Sequence, residues 1–240
     1  MMTTDLTKNN AVIITAAGSS LRFGEKKEYL PLDGNADSGI TVLSQSLYAF
    51  VETGLFVRYI VTVPAGAAGL AETLFNADKR LELFLNTNRA ALIITAGGAT
   101  RQQSVYAGLK QLDTEHIKTV LVHDGARPWV SAALIDTVLE ATTRYGAAVP
   151  AISVTDTQKE IDGSGKIIRH LLRDRIVAVQ TPQGFCCEQL IHAHRCAEHD
   201  GRTYTDDSEI YAAYCNPVFI CEGLRENKKI TYREDLKDIL

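Results

Sequence analysis

The chain has 240 residues, of which 45% are hydrophobic and 22% charged, and this length suffices to bury one sizeable core. Its formal net charge is −4, so general binding to nucleic acid or to a membrane surface is not expected. No apolar run approaches the ~20 residues of a membrane span, and the polar start MMTTDLTKNN lacks the apolar centre of a secretion signal. Five cysteines without Cys-x-x-Cys spacing favour reduced thiols. We therefore expect a cytoplasmic protein with a single domain over residues 1–240.

Five short apolar runs are typical of strands buried on both faces of a sheet, because they are bounded by Gly, Pro or Asp. These runs are Ala11–Thr15, Tyr59–Val63, Ala91–Thr95, Thr119–His123 and Ala147–Ile152. Helical apolar patterns lie between the runs, and their shared faces comprise Val42, Leu43, Leu47, Phe50 and Val51; Val105, Leu109 and Leu112; and Ile135, Val138, Leu139 and Thr142. The alternation predicts an α/β fold: a Rossmann-like, mostly parallel sheet with helices on both faces.

The segment Ser153–Asp174 interrupts this alternation of strands and helices. It is polar, contains the turn DGSG and has β-prone flanks, a pattern that predicts a β-hairpin. We expect it to project from the sheet as an arm.

The turn after the first predicted strand has the composition of a phosphate site. Gly18 follows the strand at a predicted helix start, where backbone N–H groups bind anions well. Taken alone, Arg22, Lys26 and Lys27 would indicate a solvated basic face, but their place directly after a strand and a glycine turn favours phosphate binding. Neither the Walker A pattern nor the dinucleotide pattern GxGxxG is present, so the loop belongs to neither class.

The loop AAGSSLRFG…KKEYLPL resembles the signature loop of nucleotidyltransferases that join a sugar or polyol phosphate to a nucleoside triphosphate. Six further blocks follow in the order and spacing of the 2-C-methyl-D-erythritol 4-phosphate cytidylyltransferase family. The blocks are TAGGATRQQSVYAGL, VHDGARPWV, TDTQKEI, AVQTPQGF, YTDDSEIY and EGLRENKKITYREDL. The resemblance covers nearly the whole chain.

The resemblance implies three groups of site residues. The catalytic cations would be Arg22, Lys27 and Lys229. The residues that bind CTP would be Ala16, Ala17, Gly18, Gly98 and Ser104. The residues that bind the acceptor phosphate compound would be Asp124, Arg127, Thr157, Arg173, Thr181 and Thr205.

The chain departs from the family pattern in the first loop. The family usually has Pro-Lys-Gln there, whereas this chain has Glu28 in the place of the glutamine. Lys27 is assigned as the catalytic lysine because Tyr29-Leu30 follow in the family's register, and Lys26 is the alternative. A position that is often acidic in the family is Ala99 here, which puts one ribose or base contact in question.

Some of these site residues can also be explained by a purely structural role. Asp124 and Arg127 follow a buried strand, and such a pair can hold a loop by itself. Ser104 can be a surface residue of a helix, and Thr205 can be a helix cap. In the arm, counting back from Thr181-Pro182-Gln183 favours Arg173 over Arg175 as the family's arginine.

The resemblance implies a cytidylyltransferase of non-mevalonate isoprenoid biosynthesis that acts on CTP and methylerythritol phosphate, with Mg²⁺ held mainly by the CTP phosphates. It also implies a homodimer in which each arm reaches over the partner. The alternatives are a ribitol-5-phosphate cytidylyltransferase, which shares the loop, and a non-catalytic nucleotide-binding module. No resident metal site is expected, because His192 and Cys196 share a helix face but His194 points away from them.

Overall fold

The computed structural model describes residues 9–18 and 23–239. The strands in this part of the chain are β1 (Asn10–Thr15), β2 (Arg58–Val63), β3 (Leu92–Ala96), β4 (Thr119–Asp124), β5 (Ala147–Ser153), β6 (Lys159–Ile161), β7 (Ile167–His170), β8 (Val177–Val179), β9 (Gln183–Cys186) and β10 (Phe219–Glu222). Its α-helices are α1 (Val42–Val51), α2 (Ala68–Ala77), α3 (Glu82–Thr87), α4 (Arg101–Leu109), α5 (Ala132–Tyr145), α6 (Cys187–His199) and α7 (Asp207–Tyr214). None of these helices is both long and apolar enough to cross a bilayer.

Eight of the strands form one sheet in the order β10-β5-β9-β4-β1-β2-β3, with β8 paired to β5. The pairs β1–β2, β1–β4, β2–β3 and β5–β10 are parallel. The predicted α/β fold with a mostly parallel sheet is therefore confirmed, and the five predicted strands lie within one residue of their observed bounds at each end.

The core lies on both faces of the sheet, because successive side chains of a strand point to opposite sides. On β1, Val12 and Ile14 belong to a buried cluster that includes residues of α1 and α5. Ala11 and Ile13 belong to a second cluster that includes residues of α4, α6 and α7. Burial on both faces explains why β1 is a continuous apolar run rather than an alternating one.

Strand β9 was not predicted from the sequence. It lies antiparallel between β4 and β5 and so interrupts the parallel order. Gly184 fits this position because a Cβ there would overlap Thr142 Oγ1 and lie 2.9 Å from Leu121 Cδ2. The prediction that Leu112 shares a helix with Leu109 was wrong, because α4 ends at Leu109.

The predicted hairpin is confirmed. Strands β6 and β7 pair antiparallel as a separate two-stranded sheet, joined by a turn in which Asp162 Oδ1 accepts bonds from the Ser164 and Lys166 backbone N–H groups. No residue from 153 to 179 is buried. The arm therefore has no core of its own.

Candidate active site

The loops that follow β1, β3 and β4 meet at the carboxyl edge of the sheet and enclose a cleft of ≈ 460 Å³. The residues that line this cleft are Thr15, Ala17, Gly18, Phe23, Lys27, Glu28, Gly98, Ala99, Thr100, Arg101, Ser104, Asp124, Ala126, Lys229 and Thr231. Seven of them were predicted site residues: Ala17, Gly18, Lys27, Gly98, Ser104, Asp124 and Lys229. Parallel strands bring their carboxyl ends to one edge, so these distant blocks converge.

The wall of the cleft after β3 is a glycine turn held against a capped helix. The Gly98 N–H donates to Ser104 Oγ at 3.2 Å, and Ser104 Oγ donates to the Thr100 carbonyl at 2.8 Å. Thr100 and Gln103 form a capping box at the start of α4, which fixes the first turn of that helix. A Cβ on Gly97 would lie 2.5 Å from Ala17 Cβ, so glycine is required where the two turns meet.

Three of the described residues that line the cleft are cationic: Lys27, Arg101 and Lys229. Lys27 is buried at the start of a 3-10 turn over Lys27–Tyr29. The neighbouring Lys26 instead donates from Nζ to the Gly18 carbonyl, and it does not line the cleft. This arrangement favours Lys27 over Lys26 as the lysine that meets a ligand.

Asp124, the last residue of β4, lies at the centre of the charged groups in the cleft. Lys229 Nζ donates to Asp124 Oδ2 at 2.8 Å, and Arg101 Nε donates to Asp124 Oδ1 at 3.3 Å. Arg127 Nε lies 3.7 Å from Asp124 Oδ2. Burial alone would raise the pKa of Asp124, but the three cations outweigh it and hold that pKa well below its ordinary value. Asp124 is therefore ionised.

A buried layer behind the cleft holds Asp124 in place. The Asp124 N–H donates to Thr181 Oγ1 at 3.0 Å, and Thr181 Oγ1 lies 3.1 Å from His123 Nδ1. His123 Nε2 lies 3.1 Å from the Arg127 carbonyl, which can only accept, so Nε2 carries the proton and Nδ1 accepts from Thr181. Burial lowers the pKa of His123 to about 4, so the ring is neutral at pH 7.

The segment that carries Lys229 is tied to the same layer. The Arg127 guanidinium donates to the Asn227 carbonyl at 2.7 Å, and Asn227 Nδ2 donates to the Thr181 carbonyl at 2.8 Å. The Ile230 N–H donates to the Ala126 carbonyl at 2.9 Å. These bonds bring Lys229 to the cleft although it lies 105 residues after Asp124.

The other predicted site residues that the structure describes do not line the cleft. Ala16 is buried behind it, where its N–H donates to the Thr62 carbonyl at 2.8 Å. Arg127 and Thr181 lie behind the cleft and support its wall. This position agrees with the alternative interpretation in which the Asp124–Arg127 pair holds a loop. Thr205 is exposed and bonds through Oγ1 to Glu209 Oε2 at 2.9 Å. The cap of α7 is Asp206, one residue after Thr205.

Thr157 and Arg173 are both exposed on the arm and do not line the cleft of their own chain. Arg173 donates to the Thr155 carbonyl at 3.2 Å, so it is held within the arm. Arg22 lies outside the described residues.

Arg101 is a cationic cleft residue that the sequence did not lead us to predict. The signal was present, because a cation in the first turn of a helix, directly after a strand and a glycine pair, resembles the arrangement in the first loop. Ser104 is buried, in contrast to the alternative that placed it on a helix surface.

No group of three or more His, Cys, Asp or Glu side chains that could hold a metal ion is present within residues 9–18 and 23–239. Cys196 Sγ lies 3.6 Å from His192 Nε2, while His194 bonds to Asp207 on the buried side of α6. Within the described part of the chain, the carboxylates that line the cleft are those of Glu28 and Asp124.

The model of the 2-C-methyl-D-erythritol 4-phosphate cytidylyltransferase family matches residues 10–239. A protein of that name from Pelotomaculum thermopropionicum is 37% identical over 228 residues, which cover 94% of this chain and 90% of that protein. A bifunctional enzyme IspD/IspF from Nitrobacter winogradskyi is 37% identical over 237 residues, but this chain spans only 54% of its length. The chain spans about half the length of the first curated relatives that it matches.

Among solved structures, the 2-C-methyl-D-erythritol 4-phosphate cytidylyltransferase from Thermus thermophilus is similar to this chain. It has a TM-score of 0.72 and 32% sequence identity, and the match covers 94% of both chains. The family model, the Pelotomaculum relative and the Thermus structure each cover nearly the whole chain. The chain therefore belongs to the 2-C-methyl-D-erythritol 4-phosphate cytidylyltransferase family.

Proposed function

We propose that this chain joins CTP and 2-C-methyl-D-erythritol 4-phosphate to give 4-diphosphocytidyl-2-C-methyl-D-erythritol and pyrophosphate, in non-mevalonate isoprenoid biosynthesis. The observation that carries the proposal is the cleft itself. Small residues and backbone from two turns form one side of it, and Lys27, Arg101 and Lys229 supply positive charge where phosphates would lie. Family membership supports the same reaction.

In the proposed reaction, an oxygen of the acceptor's phosphate attacks the α-phosphorus of CTP, and the bond to the pyrophosphate oxygen breaks. A phosphomonoester has a second pKa of about 6, so it is already mostly dianionic at neutral pH and needs no general base. The protein must bring two polyanions together and stabilise the negative charge that grows on the α-phosphoryl oxygens and on pyrophosphate. We assign this role to Lys27 and Lys229, together with Arg22.

The nucleotide would lie against the two small-residue turns. Ala17, Gly18 and Gly98 allow a base and its sugar to approach the backbone closely, because their side chains are small or absent. A pyrimidine has few polar edges, so choice between cytosine and uracil requires hydrogen bonds to the exocyclic group. Ser104, at the same wall, is the side chain that we place near the base.

We expect Mg²⁺ to bind mainly to the triphosphate. Asp124 has both carboxylate oxygens bonded to cations, so it offers little negative charge to a metal ion. Glu28 is the other carboxylate that lines the cleft. When bound, the metal ion would neutralise charge on the phosphate oxygens.

We also propose a homodimer in which the arm of one chain completes the cleft of the other. Thr157 and Arg173 do not line the cleft of their own chain, whereas the resemblance to the family implies that they contact the acceptor. The arm carries exposed apolar side chains such as Ile168, which is 55% exposed, and Leu172, which is 61% exposed. Apolar side chains without a core of their own are typical of an interaction surface.

Pyrophosphate release tests the proposed reaction. CTP with methylerythritol phosphate should release pyrophosphate, and kcat/KM should be higher for CTP than for UTP. Uracil has a carbonyl where cytosine has an exocyclic amine, so protein groups that pair with the amine would be left unpaired by UTP. Ribitol 5-phosphate serves as the competing acceptor. A preference for ribitol 5-phosphate would identify it as the acceptor in place of methylerythritol phosphate. Comparable kcat/KM for UTP would contradict the proposed selectivity for cytosine. If no acceptor leads to pyrophosphate release, a non-catalytic nucleotide-binding module would be favoured. The proposal places the enzyme in the cytoplasm, as the cysteine pattern suggests.

A further inference from the structure

Arg101 connects the cleft to a buried carboxylate outside it. Arg101 Nε donates to Asp124 Oδ1 at 3.3 Å, and Arg101 Nη1 donates to Asp207 Oδ2 at 2.6 Å. The guanidinium therefore bridges two carboxylates. Asp207 does not line the cleft and is fully buried in the first turn of α7.

Asp207 is itself held on its other side. His194 Nε2 lies 3.0 Å from Asp207 Oδ1, and since an ionised carboxylate can only accept, Nε2 donates this bond. The His194 ring stacks on Tyr106 of α4, with centroids 5.8 Å apart. Burial would raise the pKa of Asp207, but Arg101 and the bond from His194 outweigh it and keep that pKa below its ordinary value. Asp207 thus presents a fixed negative charge to Arg101.

The bridge determines how the Asp124 carboxylate is oriented. Arg101 occupies Oδ1, so Oδ2 is turned toward Lys229 and accepts from its ammonium group at 2.8 Å. An ammonium group has three donors, and the bond to Asp124 uses one. Lys229 is 38% exposed, so the remaining donors can face a ligand in the cleft.

We propose that Asp207 is a positioning residue, which acts through Arg101 and Asp124 to aim Lys229 at the triphosphate. Part of this inference, the role toward the triphosphate, rests on the proposed function. The orientation of Lys229 by Asp207, through Arg101 and Asp124, does not depend on the proposed function. Misplacement of a charged group by about 1 Å can cost about 100-fold in rate even when the change is far from the chemistry.

The kinetic test uses Asp207→Asn, which keeps the shape of the side chain and removes its charge. The matched control is Asp78→Asn, because Asp78 is also buried and paired with an arginine, Arg80, at 2.7 Å, but does not line the cleft. Asp207→Asn should lower kcat/KM for CTP by about 10- to 100-fold and leave KM for the acceptor unchanged. Asp78→Asn should leave both values unchanged. In a Lys229→Ala background, Asp207→Asn should have little further effect, because the two act on the same step.

A second measurement does not depend on activity. Amine-acylating reagents with mass spectrometry report how well each lysine is protected, and we expect Lys229 to be labelled several-fold faster in Asp207→Asn than in the wild type or in Asp78→Asn. Lys228 provides an internal reference. If Asp207→Asn does not fold, Arg101→Lys replaces it, because a lysine cannot bridge two carboxylates as the planar guanidinium does.

The outcomes separate the two proposals. Unchanged labelling of Lys229 in a folded variant would overturn the positioning role, whether or not the chain has activity. Faster labelling in a chain that releases no pyrophosphate with any acceptor would overturn the proposed function and leave the orientation of Lys229 by Asp207 supported. A fall in kcat/KM that adds fully to that of Lys229→Ala would show that Asp207 acts on something other than Lys229.

Discussion

The cleft and the arm are built in opposite ways. Around the cleft, Asp124, His123, Thr181 and Asn227 are buried and bonded to one another or to the backbone. In the arm, Ser153–Asp174, no residue is buried, and its strands β6 and β7 pair only with each other. The cleft is therefore ordered by its own chain, whereas the side chains of the arm have no comparable surroundings.

In the proposed dimer, one chain would hold only part of each site. A site for a charged ligand must be organised before the ligand binds, because reorganisation during the reaction is costly. The residues proposed to bind the nucleotide meet this condition within the chain. The residues proposed to bind the acceptor, Thr157 and Arg173 on the arm, would meet it only if another surface covers the arm.

The largest effect is expected on the cleft side. Lys27→Ala should lower kcat by about 100-fold or more, because it removes a cation from the site of growing negative charge. Lys26→Ala is the matched control and should lower kcat only slightly, since Lys26 bonds to loop carbonyls and does not line the cleft. Steady-state kinetics with CTP measure both. An unchanged kcat with a raised KM in Lys27→Ala would mean that Lys27 only binds CTP. An inactive Lys26→Ala would mean that Lys26, and not Lys27, is the catalytic lysine.

The second effect concerns the buried layer behind the cleft. Burial lowers the pKa of His123 from 6.5 to about 4, so between these values the unfolded chain binds a proton that the folded chain does not. Stability should therefore fall as the pH falls, by about 3 kcal/mol of unfolding free energy between pH 7 and pH 4. Urea unfolding across this range measures the loss.

Two variants isolate the contribution of His123. His123→Gln should show a flatter dependence of unfolding free energy on pH. His199→Gln should keep the wild-type slope, because the His199 side chain is 89% exposed. Equal slopes in all three proteins would mean that His123 is not held neutral by burial.

The third and smallest effect compares a glycine of the central sheet with a glycine of the arm. Gly184→Ala in β9 should destabilise the fold by about 1–3 kcal/mol, because the added Cβ meets Thr142, Leu121 and Val138. Gly163→Ala in the turn of the arm should change stability by less than about 0.5 kcal/mol, since nothing lies within 4 Å of its added Cβ. Thermal unfolding measures the stability of the two variants relative to the wild type. Equal destabilisation by the two would mean that the arm is packed against its own chain.

Most of the fold could be predicted from the sequence because its central strands are buried on both faces. Such strands are continuous apolar runs, and Ala11–Thr15 and Thr119–His123 show this directly. Strand β9 could not be predicted in the same way, because Gly184 and the preceding Pro182 are typical of turns. Its place between β4 and β5 follows from close packing on Thr142, which is a tertiary contact.

The candidate site was predictable where a residue lies at the end of a strand beside a glycine turn, as for Gly18, Gly98 and Asp124, and the resemblance to the family supplied the roles of the last two. Arg101 and Asp207 were missed as a pair because they are 106 residues apart, and neither position has a local pattern that indicates the other. Thr181 was predicted to bind the acceptor, yet its hydroxyl bonds to His123 and to the Asp124 backbone. A threonine's partners depend on the fold around it, so its sequence position could not distinguish these roles.

The claim that each site combines two chains can be tested by mixing variants. Lys27→Ala removes a cleft residue and Arg173→Ala an arm residue, and each protein alone should be nearly inactive. If subunits exchange at random, about a quarter of the sites in an equal mixture have both residues intact, so about a quarter of the wild-type activity should return. Lys27→Ala mixed with Lys229→Ala is the control, because both residues lie in one cleft and no site regains both. With exchange verified by native mass spectrometry, recovery only in the first mixture is the predicted result, and no recovery in either mixture would contradict a shared site.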